Sequence, residues 1–195
     1  MRLGLYGGTF DPIHNAHLGV ALAASEAFHL DRMLLIPNRL PPHKQSVTGA
    51  SFAQRLRMVE LACQPHPQLA ACGIENREGK SYTIQTLEQL RIEYGGSTLF
   101  SFLIGADAFA EVLTWYRVEE VFAMTEFIVA ARPGFEYSIP KGARVHALDT
   151  LAFRESSSEI RAMLAAGFNP DGLPEAVRSY IDEQGLYRTV KVERA

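Results

Sequence analysis

Residues 2–17 read RLGLYGGTFDPIHNAH, and the order of events in that stretch decides the fold. A short apolar run at 2–6 suits a buried parallel strand. Gly7-Gly8 then lets the backbone turn tightly and come close to a ligand, as residues with a Cβ could not. Asp11-Pro12 is a turn, and a helical pattern opens near Asn15, with apolar residues at Leu18, Ala21, Leu22 and Phe28. On that helix His14 and His17, three apart, lie on nearly one face at its N-terminal end. Unpaired N–H groups and the positive end of the helix dipole make such a terminus a ready phosphate site, and imidazoles there can donate to phosphoryl oxygens. The plainer alternative is that Asp11-Pro12 merely starts the helix and the histidines are solvated or satisfied. A zinc site of the HExxH kind is excluded, since the histidines are not four apart and no glutamate lies between them. The GLYGG spacing also fails the GxGxxG dinucleotide fingerprint.

The rest of the chain repeats the strand–helix rhythm. Strands are expected at 32–37, 68–75, 97–107, 126–132 and 144–149. Helices are expected at 15–28, 52–63 and 83–94, with short pieces around 108–113 and 118–123 and two more at 157–167 and 173–184. Strands alternating with helices of this length predict a doubly wound, mostly parallel α/β sheet with helices on both faces. With no repeat, linker or low-complexity run, the 195 residues read as one domain, 1–195, with a helical C-terminal portion about 156–188. Ligands in such sheets bind beyond the carboxyl ends of the strands. Three segments fall there: 7–17, 38–44 within the long loop 38–51, and 104–107.

Composition narrows the partners. A net charge of −3 argues against a general nucleic-acid or anionic-membrane surface, so anions must be held locally. The two cysteines, Cys63 and Cys72, have no metal or disulfide spacing. Without a leader or an apolar span, a reducing, cytoplasmic setting is expected. GIENREGKS (73–81) resembles a P-loop only superficially. Five residues separate its glycines where four are needed, and Glu75 and Glu78 would repel phosphates.

GGTFDPIHNAH together with SSSEIR (156–161) resembles the HxGH and ISSTxIR signatures of the nucleotidyltransferases related to class I aminoacyl-tRNA synthetases. Further landmarks resemble one branch, the bacterial nicotinate-nucleotide adenylyltransferases: PPHK (41–44), SYTIQTL (81–87), IGAD (104–107), TWYR (114–117), ARPG (131–134) and LPEAVRSYIDEQGLYR (173–188). They run in family order over nearly the whole chain.

The resemblance implies a Rossmann-like sheet and transfer of AMP from ATP to nicotinate mononucleotide. The products are deamido-NAD and pyrophosphate, Mg²⁺ accompanies ATP, and no covalent intermediate forms. By the family pattern His14, His17 and Arg161 act on the phosphates. Gly8, Thr9, Phe10, Ser156, Ser157, Ser158, Gly105 and Asp107 bind ATP, with Asp107 on ribose hydroxyls. Lys44, helped by Arg39, Thr83, Trp115 and Tyr116 bind the acceptor: Trp115 stacks on the pyridine ring, and the N–H groups of Thr83 and Tyr116 hold its carboxylate. No protein metal ligand is implied. The implied partners are small molecules, and self-association stays open.

Two positions depart from the signatures. Ala16 replaces the glycine of HxGH, where a methyl would shift the base or weaken ATP binding. Glu155 takes the isoleucine position of ISSTxIR, and Ser158 the threonine. Taken alone, Ser156-x-x-Glu159 is a helix capping box, Thr83 is a helix cap, and the final RSYIDEQGLYR is structural packing. The rivals are the phosphopantetheine adenylyltransferase of coenzyme A synthesis, a nucleotide-sensing module without turnover, and a tRNA-binding synthetase fragment, for which a basic stripe is lacking.

Overall fold

The computed structural model describes residues 1–39, 49–77, 79–131, 137–149 and 155–188. Six strands, β1 (Arg2–Gly8), β2 (Arg32–Pro37), β3 (Leu69–Ala71), β4 (Leu99–Gly105), β5 (Thr125–Ala131) and β6 (Val145–Asp149), form one sheet in the order β3-β2-β1-β4-β5-β6. Every neighbouring pair is parallel. The helices are α1 (Asn15–Ala27), α2 (Phe52–Cys63), α3 (Thr83–Tyr94), α4 (Ala106–Ala110), α5 (Val118–Met124), α6 (Ser157–Ala165) and α7 (Glu175–Glu183). A 3-10 turn, Val112–Thr114, follows α4.

Strand alternation sorts the core into two layers. On one face, Met33, Leu35, Leu103 and Ile128 meet α1, α2, α6 and α7 through Leu18, Ala21, Met58, Ile160 and Val177. On the other, Leu3, Leu5, Phe100, Phe102 and Phe127 meet α3, α4 and α5 through Ile84, Leu87, Phe109 and Val121. The doubly wound sheet expected from the sequence is therefore present, and it is wholly parallel among the described residues.

The local differences have simple causes. The strand expected at 68–75 shortens to three residues, because the Asn76 N–H bonds the Gly73 carbonyl and the chain turns. The strand expected at 97–107 ends at Gly105, where α4 begins directly.

Strand order reverses between β1 and β4, so the crevice beyond their carboxyl ends is the topological switch point. Gly7 and Gly8 close β1 there and Gly105 closes β4, while α1, α3 and α4 start nearby. This central position also makes β1 the strand on which the sheet depends. Leu5 is fully buried on it, between β2 and β4. Leu5→Ala is expected to lower the unfolding free energy by about 2–5 kcal/mol, read from the midpoint and slope of urea denaturation.

Candidate active site

The turn between β1 and α1 is held from outside by side chains. The Arg55 guanidinium, buried on α2, donates to the Thr9 carbonyl at 2.6 Å. Arg161 on α6 donates to the Asp11 carbonyl at 2.7 Å, and the Ser157 hydroxyl to the Pro12 carbonyl at 3.0 Å. Phe10, at φ 48°, turns its ring into the core and packs edge-on against His17 at 5.0 Å. A Cβ on Gly8 would come within 2.8 Å of that ring. Gly8 is thus fixed by packing against the Phe10 ring.

His14 is the residue flanking the start of α1, and its ring lies 3.7 Å from that of His17, tilted by 31°. The His14 N–H donates to His17 Nδ1 at 3.3 Å, which puts the proton of a neutral His17 ring on Nε2. His14 is buried with its side chain over the His17 backbone N–H, and among the described residues its Nδ1 makes no hydrogen bond of ordinary geometry. Burial pushes its pKa down to about 4, with Glu155 opposing the shift. His14 is therefore a neutral hydrogen-bonding ring near pH 7, and an orphaned buried polar atom of this kind is the sort that a ligand satisfies.

The start of α6 faces the same turn. Ser156 caps it, accepting from Glu159 N–H at 3.2 Å. The Glu159 carboxylate accepts from the Ser156 hydroxyl at 2.9 Å rather than from the Ser156 backbone N–H, so the serine cap is present and the reciprocal half of the expected capping box is not. Ser158 Oγ accepts from Arg161 at 3.3 Å. Glu155, the departure from the serine signature, lays its stem over Gly172, where a Cβ would come within 2.6 Å of it. Gly172 in turn accepts from Asn15 N–H at 2.9 Å. The glutamate is thereby accommodated without displacing either helix start. Ala16 is buried in α1 and does not line the cavity beside the turn.

That cavity, of about 260 Å³, begins at Gly7, Gly8 and Thr9 and runs beneath Thr83, Trp115 and Tyr116. Trp115 is half-buried, edge-on to Phe102 at 5.6 Å, so it belongs both to the core and to the cavity wall. Tyr116 is exposed and leans on Tyr82. The expectation that Thr83 caps its helix is corrected: Tyr82 holds the cap position and no side chain caps α3. A phenol ring has no acceptor suited to that task. The first backbone bonds run from Gln85 and Thr86 to the Tyr82 carbonyl, so the Thr83 and Ile84 N–H groups open the helix as donors. Asp107 is exposed in the first turn of α4. Burial, and then the Asp107 charge, push the Tyr6 phenol up to about 12.

Residues 5–163 match the cytidylyltransferase-like family model. A Solibacter usitatus protein named "Probable nicotinate-nucleotide adenylyltransferase" is 46% identical over 187 residues, 96% of this chain and 100% of that protein. The chain belongs to the nicotinate-nucleotide adenylyltransferase family. A second member, from Exiguobacterium sibiricum, is 44% identical over 97% of this chain and 100% of its own. The fold is shared with a solved Plasmodium falciparum nicotinic acid mononucleotide adenylyltransferase complexed with NaAD. The two superpose with a TM-score of 0.78 at 20% identity, covering 95% of this chain and 97% of that one.

Within this adenylyltransferase fold the structure brings His14, His17, Arg161 and Ser156–Ser158 to one side of the 9–12 turn. It brings Gly8, Thr9, Thr83, Trp115 and Tyr116 to the cavity on the other. Lys44 and the rest of PPHK lie outside the described residues, as do 132–134 of ARPG. Arg39 is half-buried at the end of the first described stretch, and its backbone N–H donates to the Ser81 hydroxyl at 3.2 Å. Phe10 offers the site its backbone alone, since its ring is in the core. Four residues escaped the sequence reading. Glu75 lines the cavity as a buried carboxyl whose pKa burial raises, against Ser81 and Thr86, the latter donating to it at 3.0 Å. The others are Asp11, Arg55 and Tyr187. The DP turn and the terminal LYR were visible, but nothing local says that residues 176 apart meet. Among the described residues no helix is long and apolar enough to cross a membrane.

The buried His14 ring has a measurable consequence. Between its ordinary value of 6.5 and about 4, the unfolded chain takes up a proton there that the folded chain refuses. Stability is therefore full above that window and falls as the pH drops through it. From pH 7 to pH 4.5 this group should cost about 2 kcal/mol. Urea unfolding across that range should show a shallower acid slope for His14→Gln than for the native chain, and equal slopes would contradict the assignment.

Proposed function

We propose that the chain joins the AMP moiety of ATP to nicotinate mononucleotide, releasing pyrophosphate and forming deamido-NAD. One observation carries the reading. A single turn, 9–12, meets two helix starts and an arginine on one face, and an aromatic-walled cavity opens from its other side.

The chemistry asks little of the protein beyond position and charge. A phosphate oxygen of the acceptor attacks the α-phosphorus, and the bond to pyrophosphate breaks in line. A phosphate monoester is already ionised near neutral pH, so no base has to remove a proton. A His14 ring that stays neutral to about pH 4 suits that requirement. The donors of His17, Arg161 and the N-termini of α1 and α6 face the charge that moves onto the leaving group. Ser158 and the Asp11 carbonyl hold Arg161 in place. Mg²⁺, when bound, neutralises charge on the phosphates. Mg²⁺ takes most of its ligands from phosphate oxygens and water rather than from a protein cage.

The acceptor's pyridine ring lies against Trp115, and its carboxylate takes the Thr83 and Tyr116 N–H groups. The uncapped start of α3 favours an anion there. Asp107 is placed to accept from ribose hydroxyls, as carboxylates at the ends of such strands do. Lys44 adds a cation for the phosphates.

Pyrophosphate release from Mg-ATP, measured with nicotinate mononucleotide and with phosphopantetheine as acceptors, tests the assignment. Turnover is expected with the first alone; turnover only with the second, or ATP binding without turnover, would overturn it. His17→Ala should lower kcat by about 10²–10³. Trp115→Ala should instead raise the KM for nicotinate mononucleotide by about tenfold and leave the KM for ATP unchanged, in line with the area and stacking an aromatic wall provides.

A further inference from the structure

Asp11 does not start the helix, which begins at Asn15; its side chain has a different task. The carboxylate is buried and accepts three hydrogen bonds from two distant parts of the chain. Gly49 N–H donates at 2.7 Å, Ala50 N–H at 3.1 Å and the Tyr187 hydroxyl at 2.7 Å. Its own carbonyl, meanwhile, receives Arg161. The Tyr187 ring lies flat on Gly49: a Cβ there would stand 2.7 Å from the ring and 3.4 Å from the Arg161 stem. Tyr187, the last tyrosine of the chain, sits at φ 62°. A bulky side chain rarely adopts that backbone, and it persists only where surrounding contacts over-determine it.

We propose that Asp11 and Tyr187 are a positioning pair for adenylyl transfer. Through Asp11 the C-terminal segment sets the 9–12 turn and, through the Asp11 carbonyl and Gly49, the Arg161 guanidinium. The C-terminal LYR is then part of the phosphate-binding machinery at one remove, rather than packing alone.

The physical reason is the direction of the constraint. Arg161 is half-buried and reaches the turn with a long side chain. Its head is fixed by an acceptor, the Asp11 carbonyl, that can move with the turn. Three donors on the Asp11 carboxylate hold that turn against rotation, and only the Tyr187 hydroxyl comes from outside the α2 entry. Burial and the bond to Asp11 both push the Tyr187 phenol well above its ordinary range, so it donates at every physiological pH. Removing the hydroxyl leaves the ring packing intact but frees one side of the carboxylate.

The inference rests on the adenylyl-transfer reading, so the test separates the two. Tyr187→Phe and the native chain are compared in steady-state kinetics with both substrates, in Mg-ATP binding by calorimetry, and in thermal unfolding. Losing a hydrogen bond to a charged group should cost about tenfold, seen in kcat/KM for ATP and in Mg-ATP affinity. The KM for nicotinate mononucleotide should stay within about twofold, because neither member of the pair lines the acceptor cavity and the one turn residue that does, Thr9, is held separately by Arg55. Asp11→Asn also disturbs the Gly49 and Ala50 bonds, so the double variant with Tyr187→Phe should lose less than the sum of the two single losses, because the two residues share one bond. Native ATP affinity in Tyr187→Phe would overturn the proposal. So would a loss spread equally over both substrates and matched by a fall in melting temperature, the signature of a merely structural brace. Should the native chain release no pyrophosphate, the functional reading fails, while the calorimetric comparison still decides whether the pair positions the ATP site.

Discussion

Everything in the site depends on the carbonyls of Thr9, Asp11 and Pro12 being occupied from behind. Arg55, Arg161 and Ser157 each give one donor to that turn. A buried backbone carbonyl must find a partner; here the partners come from α2 and α6, helices that pack on the same face of the sheet. With its acceptors engaged away from the crevice, the turn presents glycine backbone, two imidazoles and two helix starts to whatever lies in front. A floor of hydrogen-bond donors is thereby made in a chain whose net charge is −3. The overall charge says nothing about such a site, because helix ends and a few directed donors act at short range.

The sheet explains why this floor can also serve a second ligand. At the reversal of strand order between β1 and β4, helices leave in opposite directions and leave room between them. One side of the crevice is closed by α1 and α6. The other is walled by Trp115 and Tyr116 and roofed by the start of α3. In the proposed reading, the start of α3, which has no side-chain cap, gives this second half its chemistry. Helices normally close their first turn with Ser, Thr, Asp or Asn; Tyr82 stands there instead.

Much of this was legible in the residues alone. Apolar runs broken by glycine and proline located the strands, and 3.6-residue periodicity located α2 and α3 to the residue, because both patterns arise from burial on one face. The strand–turn–helix at the N-terminus and the serine cap of α6 were equally plain, being local. What stayed hidden was long-range. Arg55 looks like one more polar residue of an amphipathic helix, yet it is buried because the Thr9 carbonyl needs it. Asp11 and Tyr187 each have an ordinary local reading, a turn and a tail. Glu75 was set aside as hostile to phosphate, but it faces a cavity instead, where Thr86 satisfies one of its oxygens. A single sequence encodes which residues can pair, and topology decides which do.

The claim most exposed to test is that the uncapped start of α3, with the Tyr116 N–H, reads a carboxylate. The direct measurement is the ratio of kcat/KM for nicotinate mononucleotide over its carboxamide counterpart, at saturating Mg-ATP and neutral pH. A helix terminus and charge-assisted donors together favour the acid by on the order of 10², and that is the ratio expected. Equal use of the two acceptors would contradict the account, because open N–H donors facing a full negative charge could not then be what selects the substrate.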